Sequence, residues 1–198
     1  MVILAIIEGY LLGSLSISIC VSKLLGADVR QKGSGNAGAT NMARVYGIWA
    51  GLLTLSGDML KALLAMYIGK LLLGEPGIAY AGIGCMVGHC WPVFHGFRGG
   101  KGISAGAMVA LMVDWRIFAL IIVIFAIVAV TSKKVSAASV SASVMLSVLA
   151  LLFSVQTPKL ILALCSTAIA VYRHKENIKR LINGTEPDFK AAGKNRRR

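Results

Sequence analysis

Three short polar stretches, set in an otherwise apolar chain, hold the residue types that bind phosphate. The first, "GSGNAGATNMARVYG" (33–47), has glycines that can take positive φ and turn consecutive N–H groups into one concavity, an anion-binding arrangement. After Gly38 the pattern predicts a short helix that puts Thr40 and Arg44 (i, i+4) and Asn41 and Arg44 (i, i+3) on one face. Hydroxyl, amide and guanidinium together suit a phosphate. A flexible interhelical loop is the competing reading of this stretch taken alone. The second, "GHCWPVFHGFRGGKG" (88–102), flanks Lys101 with Gly100 and Gly102, so backbone and ammonium can both approach an anion. The third, "YRHKENIKRLINGTE" (172–186), puts His174 and Asn177 three apart, on one face if the preceding helix continues.

Several chemistries are excluded. A nucleotide-binding loop needs glycine six residues before its lysine, and that position is His95. The histidine–aspartate dyad of thioester-dependent acyltransferases is absent, since the fifth residues after His89, His95 and His174 are Phe94, Gly100 and Lys179. A serine nucleophile on an elbow is not expected. Cys20, Cys85, Cys90 and Cys165 lie in or beside apolar segments and read as small packing residues. No acid or cysteine completes a metal set around the histidines, so neither metal nor cofactor is expected.

The elements that must position these stretches are membrane helices. Of the 198 residues 57% are hydrophobic and 15% charged, too apolar for a soluble domain of this length. The net charge of +13 therefore speaks for basic loops at anionic lipid and not for nucleic acid. Seven apolar segments, 2–25, 48–73, 77–94, 102–115, 116–132, 137–156 and 158–173, are candidates to cross a bilayer. The fourth, about 21 Å long as a helix, is short enough to be re-entrant. Basic residues decide the matter. With seven spans, 17 of the 21 fall on one side; omitting the fourth gives 12 against 8. The expected fold is all-α, with seven transmembrane helices, the amino terminus outside, the carboxyl terminus in the cytoplasm, and the glycine-rich loops forming a cytoplasmic active site. The chain is one domain, 1–198, ending in a flexible basic tail over 187–198. Nothing in it specifies an oligomer, and a monomer suffices. Asp58 and Lys61, three apart within the second segment, are expected as a structural ion pair, because a lone charge at membrane depth is costly. Pro92 should interrupt the third helix. Trp91, Phe94 and Phe97 read either as membrane-interface anchors or as an acyl-chain wall.

The strings "GSGN-GATN", "GH--P-F--F-GGKG" and "H--NI-RL--G-E", in this order and spacing, resemble the bacterial membrane-integral glycerol-3-phosphate acyltransferases that use acyl phosphate as donor. The "D--K" of Asp58 and Lys61 is similar to that family too, and the likeness runs over nearly the whole chain.

The resemblance implies transfer of a fatty acyl group from acyl phosphate to the 1-hydroxyl of glycerol 3-phosphate. Lysophosphatidic acid and inorganic phosphate are the products, in the first acylation of phospholipid synthesis at the bacterial cytoplasmic membrane. The donor is a mixed anhydride with a stable leaving group, so direct transfer without an acyl-enzyme suffices. On this reading Arg44, Lys101, Ser139, His174 and Asn177 hold glycerol 3-phosphate, with Lys101, His174 and Asn177 catalytic, while Ser34, Gly35, Asn36, Thr40 and Asn41 cradle the acyl phosphate. Ser139 rests on the resemblance; Ser136 or Ser141 are the other residues of that helix able to turn inward. His174 and a bound substrate phosphate are alternative bases for the hydroxyl proton. A transporter of organic phosphate or another anion is the competing class, disfavoured because the polar residues gather at one face and not at the midplane. A noncatalytic lipid-binding scaffold would explain the basic tail but not three phosphate-suited loops.

Overall fold

The computed structural model describes residues 1–190 and is all-helical there. The first apolar segment is two helices, α1 (Val2–Gly13) and α2 (Ile17–Leu24), and not the continuous one expected. Lys61 explains how the break is tolerated: its Nζ donates to the Gly13 carbonyl at 2.9 Å and the Leu15 carbonyl at 2.6 Å, groups a helix end leaves unsatisfied. After the first glycine-rich loop come α3 (Ala39–Tyr46) and α4 (Ile48–Leu73), the helix that carries Asp58 and Lys61. The remaining helices are α5 (Glu75–Cys90), α6 (Ile103–Val113), α7 (Trp115–Ser132), α8 (Val135–Leu152), α9 (Thr157–Arg173) and α10 (Lys175–Ile182). α5 ends at Cys90, two residues before Pro92, so the third segment stops short of its expected end at residue 94.

Helix contacts follow the small residues. Gly9 and Gly13 of α1 lie directly on the backbone of Ala81 and Cys85 in α5, and Gly84 and Gly88 of α5 lie on that of Ile6 and Tyr10. A Cβ at any of the four would collide with a carbonyl, so these helices approach as membrane helices do when small residues line the seam. The core around α4, α5 and α6 holds Ala65, Met66, Met86, Ala105 and Val109. By contrast α7 buries only Ile117 and Ile121 among its residues and leaves Val123, Ile127 and Val130 exposed, an apolar surface suited to lipid.

Each of the seven expected apolar segments is helical, but among the described residues five helical stretches are long and apolar enough to cross a bilayer: Val2–Leu24, Ile48–Leu73, Glu75–His95, Trp115–Ser132 and Val135–Leu152. α9 has 17 residues. α6, with 11 residues, extends only about 16 Å. Its first residue, Ile103, and the first residue of α8, Val135, line the same cavity. α6 therefore leads away from that end of the bundle and α7 returns to it.

The expected tail does not begin at residue 187. The Phe189 N–H donates to the Lys133 carbonyl at 3.0 Å and Asp188 pairs with Lys134 at 2.9 Å, which docks this stretch on the α7–α8 junction. The rest of the tail, 191–198, lies outside the described residues.

Candidate active site

The two glycine-rich loops, the start of α8 and the α9–α10 junction converge on one open cavity. In the first loop Gly33 and Gly35 take φ of +59° and +72°, the left-handed conformations expected there. Gly38, in extended conformation, caps α3. Ser34, Asn36, Thr40, Asn41 and Arg44 all line the cavity, and Gly35 lines an adjoining basin. Asn41 differs from expectation in what its amide does. Its Oδ1 accepts from the Ser34 N–H at 2.9 Å, and its Nδ2 donates to the Val29 and Lys32 carbonyls at 3.1 and 3.0 Å. With both ends of a fully buried amide engaged by the loop, Asn41 shapes the nest and has no amide hydrogen left for a phosphate.

Lys101 lies on the opposite wall. Its Nζ donates to the Asn177 Oδ1 at 2.5 Å, Asn177 Nδ2 donates to Glu186 Oε1 at 2.7 Å, and Arg180 Nε donates to Glu186 Oε2 at 2.7 Å. Burial pushes the Lys101 ammonium down to about 8; the Glu186 carboxylate opposes this, and Arg180, Arg173 and Arg44 add to it. For Glu186, burial works to raise the carboxyl, but the polar groups of Ser136, Asn177 and Arg180 that face it outweigh burial and hold it below the usual range.

α9 ends at Arg173, so His174 stands at a junction and not within a continuing helix. Even so, His174 and Asn177 face the same cavity. The His174 Nδ1 lies 2.8 Å from the Ala170 carbonyl, which only accepts, so Nδ1 carries the proton and Nε2 keeps a lone pair. Burial drives this imidazole down to about 4, with the Ala170 bond opposing and the Lys101 charge assisting, so it is neutral at pH 7. Ser139 and Ser136 of α8 both line the cavity.

Behind Ser139, Phe125 and Ile103 the cavity shares its wall with an apolar chamber, formed also by Gly106, Ile121 and Leu146. Trp91, Phe94 and Phe97 are not part of that chamber. Trp91 stacks under the Arg173 guanidinium at 5.3 Å, and Phe94 and Phe97 are exposed. Asp58 and Lys61 form the expected buried pair, with Nζ and Oδ1 2.9 Å apart.

Glu186, Arg180 and Ser136 were missed as site residues. The third stretch holds two acids, Glu176 and Glu186, and the available signal for Glu186 was its place in the string "H--NI-RL--G-E". Ser104, in Gly102-Ile103-Ser104-Ala105-Gly106, does have the spacing of a serine elbow. Its context is wrong for one, because it lies in the first turn of α6 with no strand before it, and no hydrogen bond joins it to an imidazole among the described residues.

Residues 3–184 match the profile of the family described as Glycerol-3-phosphate acyltransferase. Proteins with that name include one from Alkaliphilus metalliredigens, 42% identical over 93% of this chain and 94% of its own length. Another, from Geobacillus kaustophilus, is 37% identical over 98% of this chain and 99% of its own. Among solved structures, the glycerol 3-phosphate form of PlsY (YgiH), an integral membrane glycerol 3-phosphate acyltransferase, superposes with a TM-score of 0.90 at 32% identity, covering 96% of both chains. The lysophosphatidic acid form of that protein gives 0.88 at 31% identity over 96% of this chain and 95% of that one.

Proposed function

The chain belongs to the glycerol-3-phosphate acyltransferase family, and we propose that it transfers an acyl group from acyl phosphate directly to the 1-hydroxyl of glycerol 3-phosphate. One observation carries this reading: a cavity that holds Arg44, Lys101, His174 and Asn177 shares its wall with an apolar chamber. The polar side suits two phosphates and the apolar side a fatty chain, which is the pair of ligands the reaction must bring together.

In the proposed step the acceptor hydroxyl oxygen bonds to the carbonyl carbon of the donor. The bond from that carbon to the phosphate oxygen breaks, and inorganic phosphate leaves with the electron pair. Arg44, Lys101, Ser139, His174 and Asn177 hold glycerol 3-phosphate, and Ser34, Gly35, Asn36 and Thr40 hold the donor phosphate on the nest that Asn41 shapes. Placing the hydroxyl about 3–3.5 Å from the carbonyl carbon is most of what the protein must do. Lys101 and the loop N–H groups stabilise the charge that develops on oxygen and phosphate. The hydroxyl proton goes to the free Nε2 of His174 or to a phosphate oxygen of a bound substrate. No acyl-enzyme is required, because the anhydride already carries a good leaving group.

The membrane arrangement proposed with this function has seven crossings, the amino terminus outside and the site opening to the cytoplasm across the bacterial cytoplasmic membrane. The outward run of α6 and the return of α7 support the odd number, and the basic residues around the cavity support the side. Release of phosphate from a defined acyl phosphate, measured with and without glycerol 3-phosphate for the purified protein and Lys101→Ala, tests the reading. Acceptor-dependent release together with lysophosphatidic acid is expected in the wild type and its collapse in the variant. No acceptor-dependent release from folded protein would overturn it.

A further inference from the structure

Lys101 follows two glycines, the residues with the least conformational preference, so something outside the loop must fix where its ammonium points. Arg173 holds one side: its Nε donates to the Gly100 carbonyl at 3.1 Å and its terminal nitrogen to the Gly99 carbonyl at 3.2 Å. The other side belongs to His89, on the last turn of α5 and only 5% exposed. The His89 carbonyl accepts from the Gly100 N–H at 3.1 Å. A Cβ at Gly99 would collide with that carbonyl, and one at Gly100 would collide with the His89 ring nitrogen Nε2 and the Ala37 carbonyl. The glycine pair is therefore moulded around His89.

The ring has its own support. Its Nδ1 makes no hydrogen bond among the described residues and lies 3.7 Å from Asp58 Oδ1, whose carboxylate is likewise without one, although Lys61 Nζ stands 2.9 Å from it. Lys61 is tied in turn to the carbonyls of the α1–α2 break. The buried carboxylate thus has the ammonium on one side and the imidazole on the other.

We propose that His89 is a positioning residue for Lys101, its ring held by Asp58 and its carbonyl and imidazole fixing the Gly99–Gly100 turn. This gives the Asp58–Lys61 pair a task beyond neutralising charge, since it braces the imidazole on which the turn rests. The proposal rests on the acyl-transfer reading for what Lys101 does, but not for where Lys101 is held.

The test compares wild type, His89→Asn, His89→Gln and Asp58→Asn in three measurements: glycerol 3-phosphate binding by calorimetry without donor, kcat and KM, and the pH dependence of kcat/KM. The groups facing Lys101 are Asn177, Glu186, Arg180, Arg173, Arg44 and His174, and all stay in place. Expected for His89→Gln is a KM and a binding constant weakened tenfold or more, with a smaller change in kcat. Its alkaline limit should move from about 8 towards the ordinary lysine value of 10.5, as a displaced ammonium regains water. His89→Asn, whose amide nitrogen takes the place of Nδ1 opposite Asp58, recovers most of the binding. A role in packing alone would lower the folded fraction and leave that limit where it was. Folded variants with wild-type binding and an unmoved limit would overturn the proposal. So would a fall in kcat alone in both histidine variants, which would put His89 at the proton transfer. Should His89→Gln fail to fold, Asp58→Asn, nearly equal in volume, decides by the same limit. Weakened binding in a protein that transfers no acyl group would leave the positioning role standing and remove the acyl-transfer reading.

Discussion

Lys101 Nζ and Asn177 Oδ1, 76 residues apart in the chain, meet at 2.5 Å. The contact joins the second glycine-rich loop to α10 and, through Asn177, to Glu186. It keeps a half-buried ammonium hydrogen-bonded, so on the proposed reading a phosphate meets a cation that is already aimed.

Removing that ammonium should cost more than binding. Lys101→Ala is expected to lower kcat/KM for glycerol 3-phosphate by about a hundredfold or more, the range for loss of a charged group that stabilises developing negative charge. Asn177→Ala should have a smaller but parallel effect, because it leaves Lys101 charged and unheld. Steady-state phosphate release against acceptor concentration separates the two.

The same burial sets a pH limit. On the proposed reading Lys101 binds phosphate while protonated, and with its ammonium pushed down to about 8 by burial it loses that capacity as pH rises through this value. kcat/KM should therefore fall above pH 8, about tenfold per pH unit. His174, at about 4, stays neutral throughout this range and contributes no limb near neutrality in the free protein. A profile flat to pH 10 would contradict the depression of the Lys101 ammonium by its burial.

His174 can be tested apart from its neighbours. General-base catalysis is worth about 100- to 10,000-fold, so His174→Ala should reduce kcat at saturating substrates by that factor if Nε2 takes the hydroxyl proton. Nearly unchanged turnover with a raised KM would assign the proton to a substrate phosphate and leave His174 as a binding group.

The buried pair makes a prediction about folding. Lys61→Ala strands Asp58 in the core and leaves the Gly13 and Leu15 carbonyls unsatisfied. A loss of about 3–5 kcal/mol is expected for breaking such a pair, and the joint replacement Asp58→Leu with Lys61→Met should recover part of it. Thermal unfolding in a mild detergent compares them.

Much of this was legible in the sequence because its signals are local. Apolar runs predict helices, the glycines of the first loop predict the left-handed turns at Gly33 and Gly35, and Pro92 predicts an interruption of the third helix. What escaped depended on contacts distant in sequence. Asn41 reads as a phosphate ligand until Val29, Lys32 and Ser34 are seen to occupy its amide. The break after Gly13 is invisible in an apolar run and intelligible once Lys61 is found beneath it. Glu186 lies beyond the last helix, at the end of the third polar stretch, and only the fold shows that its carboxylate holds Asn177 and Arg180. Trp91 has the composition of a lipid anchor, and Arg173 determines its actual place.

The apolar chamber makes the last prediction, about the donor. A Cβ at Gly106 would meet nothing closer than the Met86 methyl at 4.0 Å, so this glycine leaves open space at the chamber wall. Gly106→Leu should fill that space without straining α6, because Gly106 is an ordinary helical residue whose φ is not positive. A fatty chain entering from Ser139 would then lose room for several methylenes, each worth about 0.8 kcal/mol when buried, or about fourfold in affinity. Preference among acyl phosphates of graded length should shift to shorter chains by that factor per excluded methylene. The KM for glycerol 3-phosphate should remain as in the wild type, because Arg44, Lys101 and His174 lie on the far side of the Ser139 wall. Unchanged chain-length preference in a folded Gly106→Leu protein would place the acyl chain elsewhere, on the lipid-facing surface of α7.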